Sequence, residues 1–319
     1  IPRLVEVLGL PIRVALLKGR GNYLCLHRME QARHSPESAQ PGAQKALAKI
    51  ETWAQSTRTG DMAELTGLDE RSSLWPLVTS TRDNCLGSSC PRYRACHVNL
   101  ARKEAMAADV VVINHHLFFA DMAVRESGMA ELLPTVRVVI FDEAHQLNET
   151  GIQFLGQQLG LGQMLDLARD ILACGLQLAK GLADWQGVVA EFEKSLRDLR
   201  LLIGKHPPNS RLRWLSGYPQ GIDPQDWASA MLLLTERSQA LLASLELVVE
   251  TAPEFQRLHE RVSGVIGLIA HFSQDCPEGS VRWLEVGTQA RCMEAPLDIA
   301  EVMKSRLLQS VMTVPDAQG

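Results

Sequence analysis

The sequence predicts an α/β protein in which a parallel sheet is interrupted twice, by a small cysteine-bearing segment and by a long helical block. Three observations lead there. Two short continuous apolar runs, Asp109–Asn114 and Val136–Phe141, are rich in β-branched residues, as strands covered on both faces tend to be. Four of the seven cysteines fall between residues 25 and 96. From about residue 150 to 278, apolar residues recur at three- and four-residue steps, the period of one helix face.

The elements follow in chain order. Residues 1–24 open with a helical pattern (Leu4, Val5, Val7, Leu8) and continue into a strand-like run, IRVALL, closed by Lys18-Gly19-Arg20-Gly21-Asn22. Residues 25–100 hold short apolar clusters and turn residues (SPESAQPGAQ, DNCLGSSCP). So small a core needs a staple, which metal-bound cysteines can supply. The two strand candidates come next, the second running straight into Asp142-Glu143-Ala144-His145. Within the helical block, Trp185, Val188, Val189, Phe192, Leu196, Leu199 and Leu202 line one face. The stretches 225–250 and 252–273 behave likewise, the latter with Pro253 as a first-turn residue. The tail returns to strand-like sequence at Val281–Val286, followed by a helix opening near Pro296 with Asp298 in its first turn.

Composition sets bounds on function. At 319 residues with 46% hydrophobic content, the chain can bury the core of two or three folding units. No apolar run approaches the ~20 residues a membrane span needs, and no secretory signal is visible, so a cytoplasmic location and no membrane partner are expected. Charge is uneven: residues 1–103 carry 15 Lys and Arg against 9 Asp and Glu, and the remainder carries 17 against 28. A basic first third on an acidic remainder points to a local polyanion contact.

An apolar strand ending in Asp-Glu places two carboxylates at the carboxyl edge of a parallel sheet, where α/β proteins bind ligands. In nucleotide hydrolases such an Asp holds Mg²⁺ beside the phosphates, and the neighbouring Glu orients or deprotonates the attacking water. Asp142 and Glu143 suit these roles. Cys25, Cys85, Cys90 and Cys96 form a long gap followed by C-x4-C-x5-C. Four thiolates suit either tetrahedral Zn²⁺ or an iron–sulfur cluster, and the spacing leaves both open. His27 and His97 stand beside ligand candidates, and Cys174, Cys276 and Cys292 read as structural. Near the cysteines lie Arg82, Arg92, Arg94, Arg102 and Lys103, interleaved with Tyr23 and Tyr93. Cations that neutralise phosphates beside rings that stack on bases are a recipe for single-strand binding. His115 and His116, read as consecutive strand residues, would point to opposite faces and could not easily chelate one ion.

The segment VVIFDEAH resembles motif II, the DEAH box, of superfamily 2 helicases. DVVVINHHLFFAD and LLKGRGNYLCL resemble the segments found upstream of it in the DinG/XPD group of iron–sulfur helicases, nearest the bacterial YoaA branch. The matches span residues 14–148 in the family's order. The resemblance implies a 5′-to-3′ DNA helicase of DNA repair or replication that hydrolyses Mg²⁺-bound ATP, with His145 coupling hydrolysis to nucleic-acid binding. It implies a [4Fe–4S] cluster on Cys25, Cys85, Cys90 and Cys96, and single-stranded or forked DNA and replication or repair proteins as partners. The implied layout is part of a RecA-like motor domain 1 (residues 1–24, 101–149 and a return segment 281–319), an inserted cluster domain (25–100) and an inserted helical arch (150–280).

The chain departs from that family in two respects. No G-x-x-x-x-G-K-[ST] phosphate loop occurs, and no second motor domain is visible. Where a Ser-Ala-Thr motif is expected, the sequence reads SVMTVPDAQG, which suggests a truncated or frame-shifted end. The chain by itself is therefore expected to be inactive as an ATPase. Two other readings stay open: a non-enzymatic DNA- or partner-binding fragment, and a zinc-stapled DEAH ATPase.

Overall fold

The computed structural model describes residues 2–33, 35, 38, 41–67, 72, 74–126, 133, 134, 136, 138–204, 206, 207 and 209–298. The chain divides into two compact units, the first reaching Leu147 and the second beginning at Asn148.

The first unit starts with helix α1 (Pro2–Val7) and strand β1 (Val14–Leu16). Helices α2 (Leu26–Ala32), α3 (Pro41–Ala54), α4 (Trp75–Val78) and α5 (His97–Met106) follow, then β2 (Val110–Val112) and α6 (His115–Glu126). β1 and β2 pair in parallel, with Val14 opposite Val110 and Leu16 opposite Val112. Parallel neighbours need a crossover, and α5 supplies the return helix, packing on β1. Its Ala105 and Ala101 meet Leu17, Ala15, Val111 and Ile113 in a small core. Residues 20–96 thus sit inside a single crossover. They keep a core of their own, in which Leu24, Met29, Leu47, Ile50, Met62, Leu65 and Val78 pack together.

That insert is tied to the end of β1 by a compact set of bonds. The Lys18 ammonium reaches the Asp61 carboxylate at 2.5 Å, and Tyr23 bridges Asp61 through the backbone. The Leu24 N–H donates to the Gly60 carbonyl and the Cys25 N–H to the Val78 carbonyl, both at 2.8 Å.

Two expectations are corrected in this unit. Among the described residues, the run Val136–Phe141 forms no strand, and Val138 and Ile140 are 73% and 88% exposed. A buried parallel strand exists only by pairing with neighbours, and among the described residues β1 and β2 pair only with each other. His115 and His116 open helix α6 rather than lying on a strand. Asn114 stops the strand because its side-chain oxygen accepts the Leu117 N–H at 2.9 Å, an N-cap that turns the chain into the helix.

The second unit opens with α7 (Leu147–Leu155), whose first residue closes the first unit. It contains β3 (Gln157–Gly160), α8 (Leu161–Leu178), α9 (Trp185–Ile203), β4 (Ser210–Arg213), α10 (Pro224–Glu246), α11 (Pro253–Phe272), β5 (Ser280–Val286) and β6 (Ala290–Pro296). α8 packs on α9, α9 on α10, α10 on α11, and α11 back on α8, closing a ring around one core. The predicted α9 face is the one that packs inward: Trp185, Val189, Phe192, Leu196 and Leu199 are buried, and Val188 and Leu202 lean on them. Pro253 takes the first-turn position of α11.

The four strands form an antiparallel sheet in the order β3-β6-β5-β4. The tail strand, expected to rejoin the parallel sheet, is β5 of this sheet instead. Its burial alternates, with Arg282, Leu284 and Val286 inward, the pattern of a sheet covered on one face. The helix expected to open near Pro296 does not begin there: Pro296 ends β6 and Leu297 and Asp298 are not helical, while the residues beyond Asp298, with the terminal SVMTVPDAQG, lie outside the described residues.

Candidate functional site

The four cysteines of the insert are brought together from both ends of it. Cys25 stands at the start of α2 and Cys96 at the start of α5. Cys90 ends one 3-10 turn (Gly87–Ser89), and Cys96 ends the next (Tyr93–Ala95). The turns are short because backbone bonds close them locally: Cys90 N–H to Gly87, Tyr93 N–H to Cys90 and Cys96 N–H to Tyr93, at 3.0–3.3 Å. All four thiols are half-buried. Burial pushes the Cys25 thiol above its ordinary range, the Arg28 backbone pulls it down, and the thiols of Cys90, Cys85 and Cys96 push it up again. Cys25 therefore lies within electrostatic reach of the other three. Among the described residues, no group of three or more His, Cys, Asp and Glu is arranged to hold a single metal ion.

His97, next to Cys96, is buried with its ring against Gly60, and neither ring nitrogen has a well-formed hydrogen bond. Burial lowers its pKa, opposed by the Arg58 backbone. His27 shares its ring nitrogen with Gln31.

The basic and aromatic residues divide into four kinds. Arg82, Arg94 and Lys103 are exposed, and Tyr93 is 40% exposed beside them in sequence. Arg92 is held by the Glu30 carboxylate. Arg102 is half-buried; burial and the nearby Arg20 lower its pKa, while the thiols of Cys85 and Cys96 and the Tyr93 hydroxyl oppose them. Tyr23 corrects an expectation. It is 4% exposed, its hydroxyl accepts the Lys18 N–H at 3.1 Å, and burial raises its pKa. A ring packed into the latch under the insert offers no face to a base.

The DEAH segment is exposed at the end of the run that follows α6. Phe141 anchors it: its ring meets Phe118 edge-on at 5.1 Å and lies 6.2 Å from the His115 ring. The carboxylates thus lie near the start of α6, beside the end of β2. Glu143 takes a left-handed backbone conformation (φ 50°) that opens a 3-10 turn over Ala144–Gln146. Its N–H donates to the Asp142 carboxylate at 3.1 Å, and its own carboxylate lies 3.4 Å from His145 Nδ1. Asp142, Glu143 and His145 form one solvent-facing group of oxygen donors with an imidazole at its flank. Their side chains are exposed, as a group awaiting a charged ligand must be. Sequence reading missed the part played by Arg20 and by the Phe118–Phe141 contact. The first was signalled only by one more cation in KGRGN, the second only by apolar residues in helical register with His115.

The sequence that carries these groups is similar to that of known proteins. Residues 5–164 match the DEAD_2 family, half of the chain, and the chain belongs to that family. Over 308 residues it is 37% identical to the ATP-dependent DNA helicase YoaA of Haemophilus influenzae, covering 96% of this chain and 47% of that protein. The Escherichia coli K12 protein of the same name is 44% identical over 220 residues, 69% of this chain and 35% of its own length. The ATP-dependent helicase DinG of Mycobacterium tuberculosis H37Rv is 35% identical over 219 residues, 63% and 32% respectively. The chain spans about half the length, or less, of these relatives. Among the described residues, no helix is long and apolar enough to cross a membrane.

Proposed function

We propose that the chain is part of a cytoplasmic, ATP-dependent 5′-to-3′ DNA helicase of the iron–sulfur superfamily 2 type, acting in DNA repair or replication. Asp142 would hold Mg²⁺ beside the ATP phosphates, Glu143 would direct the attacking water, and His145 would pass the state of the nucleotide site to the nucleic acid. Cys25, Cys85, Cys90 and Cys96 would hold a [4Fe–4S] cluster, within a cluster domain over residues 25–100 and beside a helical arch over 150–280. Arg82, Arg94, Lys103 and Tyr93 would meet single-stranded or forked DNA, with Arg92 released from Glu30 for the same purpose.

The observation that carries this reading is the convergence of four half-buried thiols from sequence positions as far apart as 25 and 96. Two of them stand at helix starts, Cys25 before α2 and Cys96 before α5. A tetrahedral zinc needs its sulfurs roughly 4 Å apart, given Zn–S bonds of about 2.3 Å. A four-iron cube takes one thiolate at each of its four iron corners. When bound, the cluster would cross-link the insert and supply a one-electron centre.

Anaerobic purification with iron, sulfide and zinc analysis tests the reading. About four iron and four sulfide per chain are expected, with a visible absorption band that Cys90→Ser abolishes. Zinc without a visible band would sink the cluster and leave a zinc-stapled DEAH ATPase. A second reading is favoured by one observation, the lack of any G-x-x-x-x-G-K-[ST] in these 319 residues. On that reading the polypeptide binds DNA or a protein partner without turning over ATP.

A further inference from the structure

Three of the four cysteines, Cys85, Cys90 and Cys96, stand in a stretch, residues 79–96, that among the described residues places no side chain in either apolar core of the first unit. Apolar packing therefore does not fix where they lie, and their position comes from where the stretch is tied down. Its near end is held at Val78, whose carbonyl accepts the Cys25 N–H at 2.8 Å. Its far end is held at His97, whose buried ring lies so close to Gly60 that no Cβ fits between them. The Arg92–Glu30 pair between these ends is exposed, and ion pairs in water contribute little.

Gly60 belongs to the turn Thr57–Asp61, and the same turn carries the Cys25 arm. The Gly60 carbonyl accepts the Leu24 N–H at 2.8 Å, and Asp61 forms an antiparallel bridge with Tyr23. One turn thus joins the residue before Cys25 to the residue after Cys96. Polar bonds set its shape: the Gly60 N–H donates to the Thr57 hydroxyl at 2.9 Å. Asp61 anchors it. One carboxylate oxygen accepts the Ala63 N–H at 3.1 Å, and the other takes the Lys18 ammonium at 2.5 Å. Lys18 follows β1, and its backbone N–H donates to the Tyr23 hydroxyl at 3.1 Å. The Lys18 and Asp61 side chains are only 27% and 18% exposed, so removing either leaves the other unpaired and poorly hydrated.

We propose that Asp61, paired with Lys18, is the positioning residue of the four-cysteine centre: the ion pair holds the turn that brings the Cys25 arm and the Cys96 arm together before any metal is bound. The inference rests on the reading of those cysteines as one metal-binding set. Asp61 acts through the backbone of Tyr23 and Leu24 and through the Gly60–His97 contact, not as a ligand. A site assembled before its ligand arrives loses less order on binding.

The test treats the metal-free, reduced 319-residue chain with a short bifunctional maleimide and maps the linked peptides by mass spectrometry. Cys90 and Cys96 are joined by local turns, so the Cys90–Cys96 link serves as the reference within each sample. Asp61→Asn keeps the shape and the N-cap but removes the charge. It is expected to lower the ratio of Cys25–Cys96 to Cys90–Cys96 links about tenfold, as the effective concentration of the two arms falls. Lys18→Met should do the same, and the double variant should lose no more than either. Asp61→Glu keeps the charge and should recover most of the ratio. In chains purified anaerobically with their metal, Asp61→Asn should release it to a chelator about tenfold faster. An unchanged link ratio in Asp61→Asn and Lys18→Met chains with native circular dichroism would overturn the proposal. So would an equal loss in Asp61→Glu, which would mark the position as packing alone. Should Asp61→Asn fail to fold, Lys18→Met, which lies outside the insert, decides by the same ratio. A parent chain that holds neither iron nor zinc would remove the metal reading, an outcome separate from the link ratio because that ratio is measured without metal.

Discussion

At the scale of single residues, the insert depends on close approaches that tolerate little change. Gly60 has φ +65°, and an added Cβ would run into the His97 ring. Gly60→Ala is expected to destabilise the first unit by roughly 2–4 kcal/mol through strain and overlap together, measured as a lower urea midpoint with unchanged slope. Two cysteines outside the insert behave oppositely to reactive thiols. Burial pushes Cys174 up to about 12, helped by the Glu254 and Asp170 carboxylates, and burial alone lifts Cys292 to about 12 against the pull of Arg282. Their folded pKa values exceed the unfolded value of 9.0, so the unfolded chain loses these protons first. Stability they contribute is complete below about pH 9 and falls as pH rises towards 12. Replacing both with alanine should shrink the loss of stability between about pH 8 and pH 10.5, and both should resist thiol reagents in the native chain at about pH 8. Their structural role was legible from their isolated positions in apolar sequence. The burial of Tyr23 was not, because an aromatic among cations reads the same whether its ring faces water or a neighbouring turn.

At the scale of elements, helices were easier to foresee than strands. Helices such as α9, α10 and α11 carry their signals locally: Asp184 and Asp223 cap the first two, and Pro224 and Pro253 stand in first turns. Asp223 accepts the N–H groups of Gln225 and Asp226 at 2.9 and 3.2 Å. Asp223→Ala should cost about 1 kcal/mol, visible as a lower thermal midpoint. Strands β3 and β4 are four residues each and take their identity from β6 and β5, which lie far along the chain. No local pattern in QQLG or SRLR announces that pairing. The β5–β6 pair contains the most consequential polar contact of the second unit. Arg282, with no side-chain exposure, meets the Glu294 carboxylate at 2.6 Å. It also reaches the Gln274 and His271 carbonyls and lies over the Phe272 ring. His271 completes the group at 2.8 Å from Glu294. Glu294→Ala leaves Arg282 buried without its anion and should cost about 3–5 kcal/mol, read from denaturant unfolding; Glu294→Gln should cost less because it keeps the shape.

For the whole molecule, the division at Leu147 and Asn148 separates the carboxylate and thiol groups from the helical ring. All the residues proposed to touch nucleotide, metal or DNA belong to the first unit, and the second has one continuous core. A polypeptide from Asn148 to Asp298 should therefore fold by itself, with a cooperative melt and helical circular dichroism; a broad, non-cooperative melt would count against it. The intact chain is expected to show no ATP turnover above background while binding single-stranded DNA with an affinity that falls as salt rises. The strands of the parallel pair, β1 and β2, were legible because each is written in a short contiguous apolar stretch. The fate of Val136–Phe141 was not, since whether an apolar run becomes a strand depends on what lies next to it, which its own residues do not encode.

The crossover that carries the insert has a consequence for how the chain reaches its native state. Arg13 and Asp109, joined at 2.8 Å, are 96 positions apart in sequence. Contacts so distant raise contact order and slow the search, because the entropy of closing the loop is lost before the pairing returns anything. A bridge from Cys25 to Cys96 short-circuits most of that loop, leaving only the short arms from Leu17 to Cys25 and from Cys96 to Asp109 to be ordered. Refolding of the β1–β2 pair should then be faster when the cysteines are bridged before denaturant is diluted than when they are not.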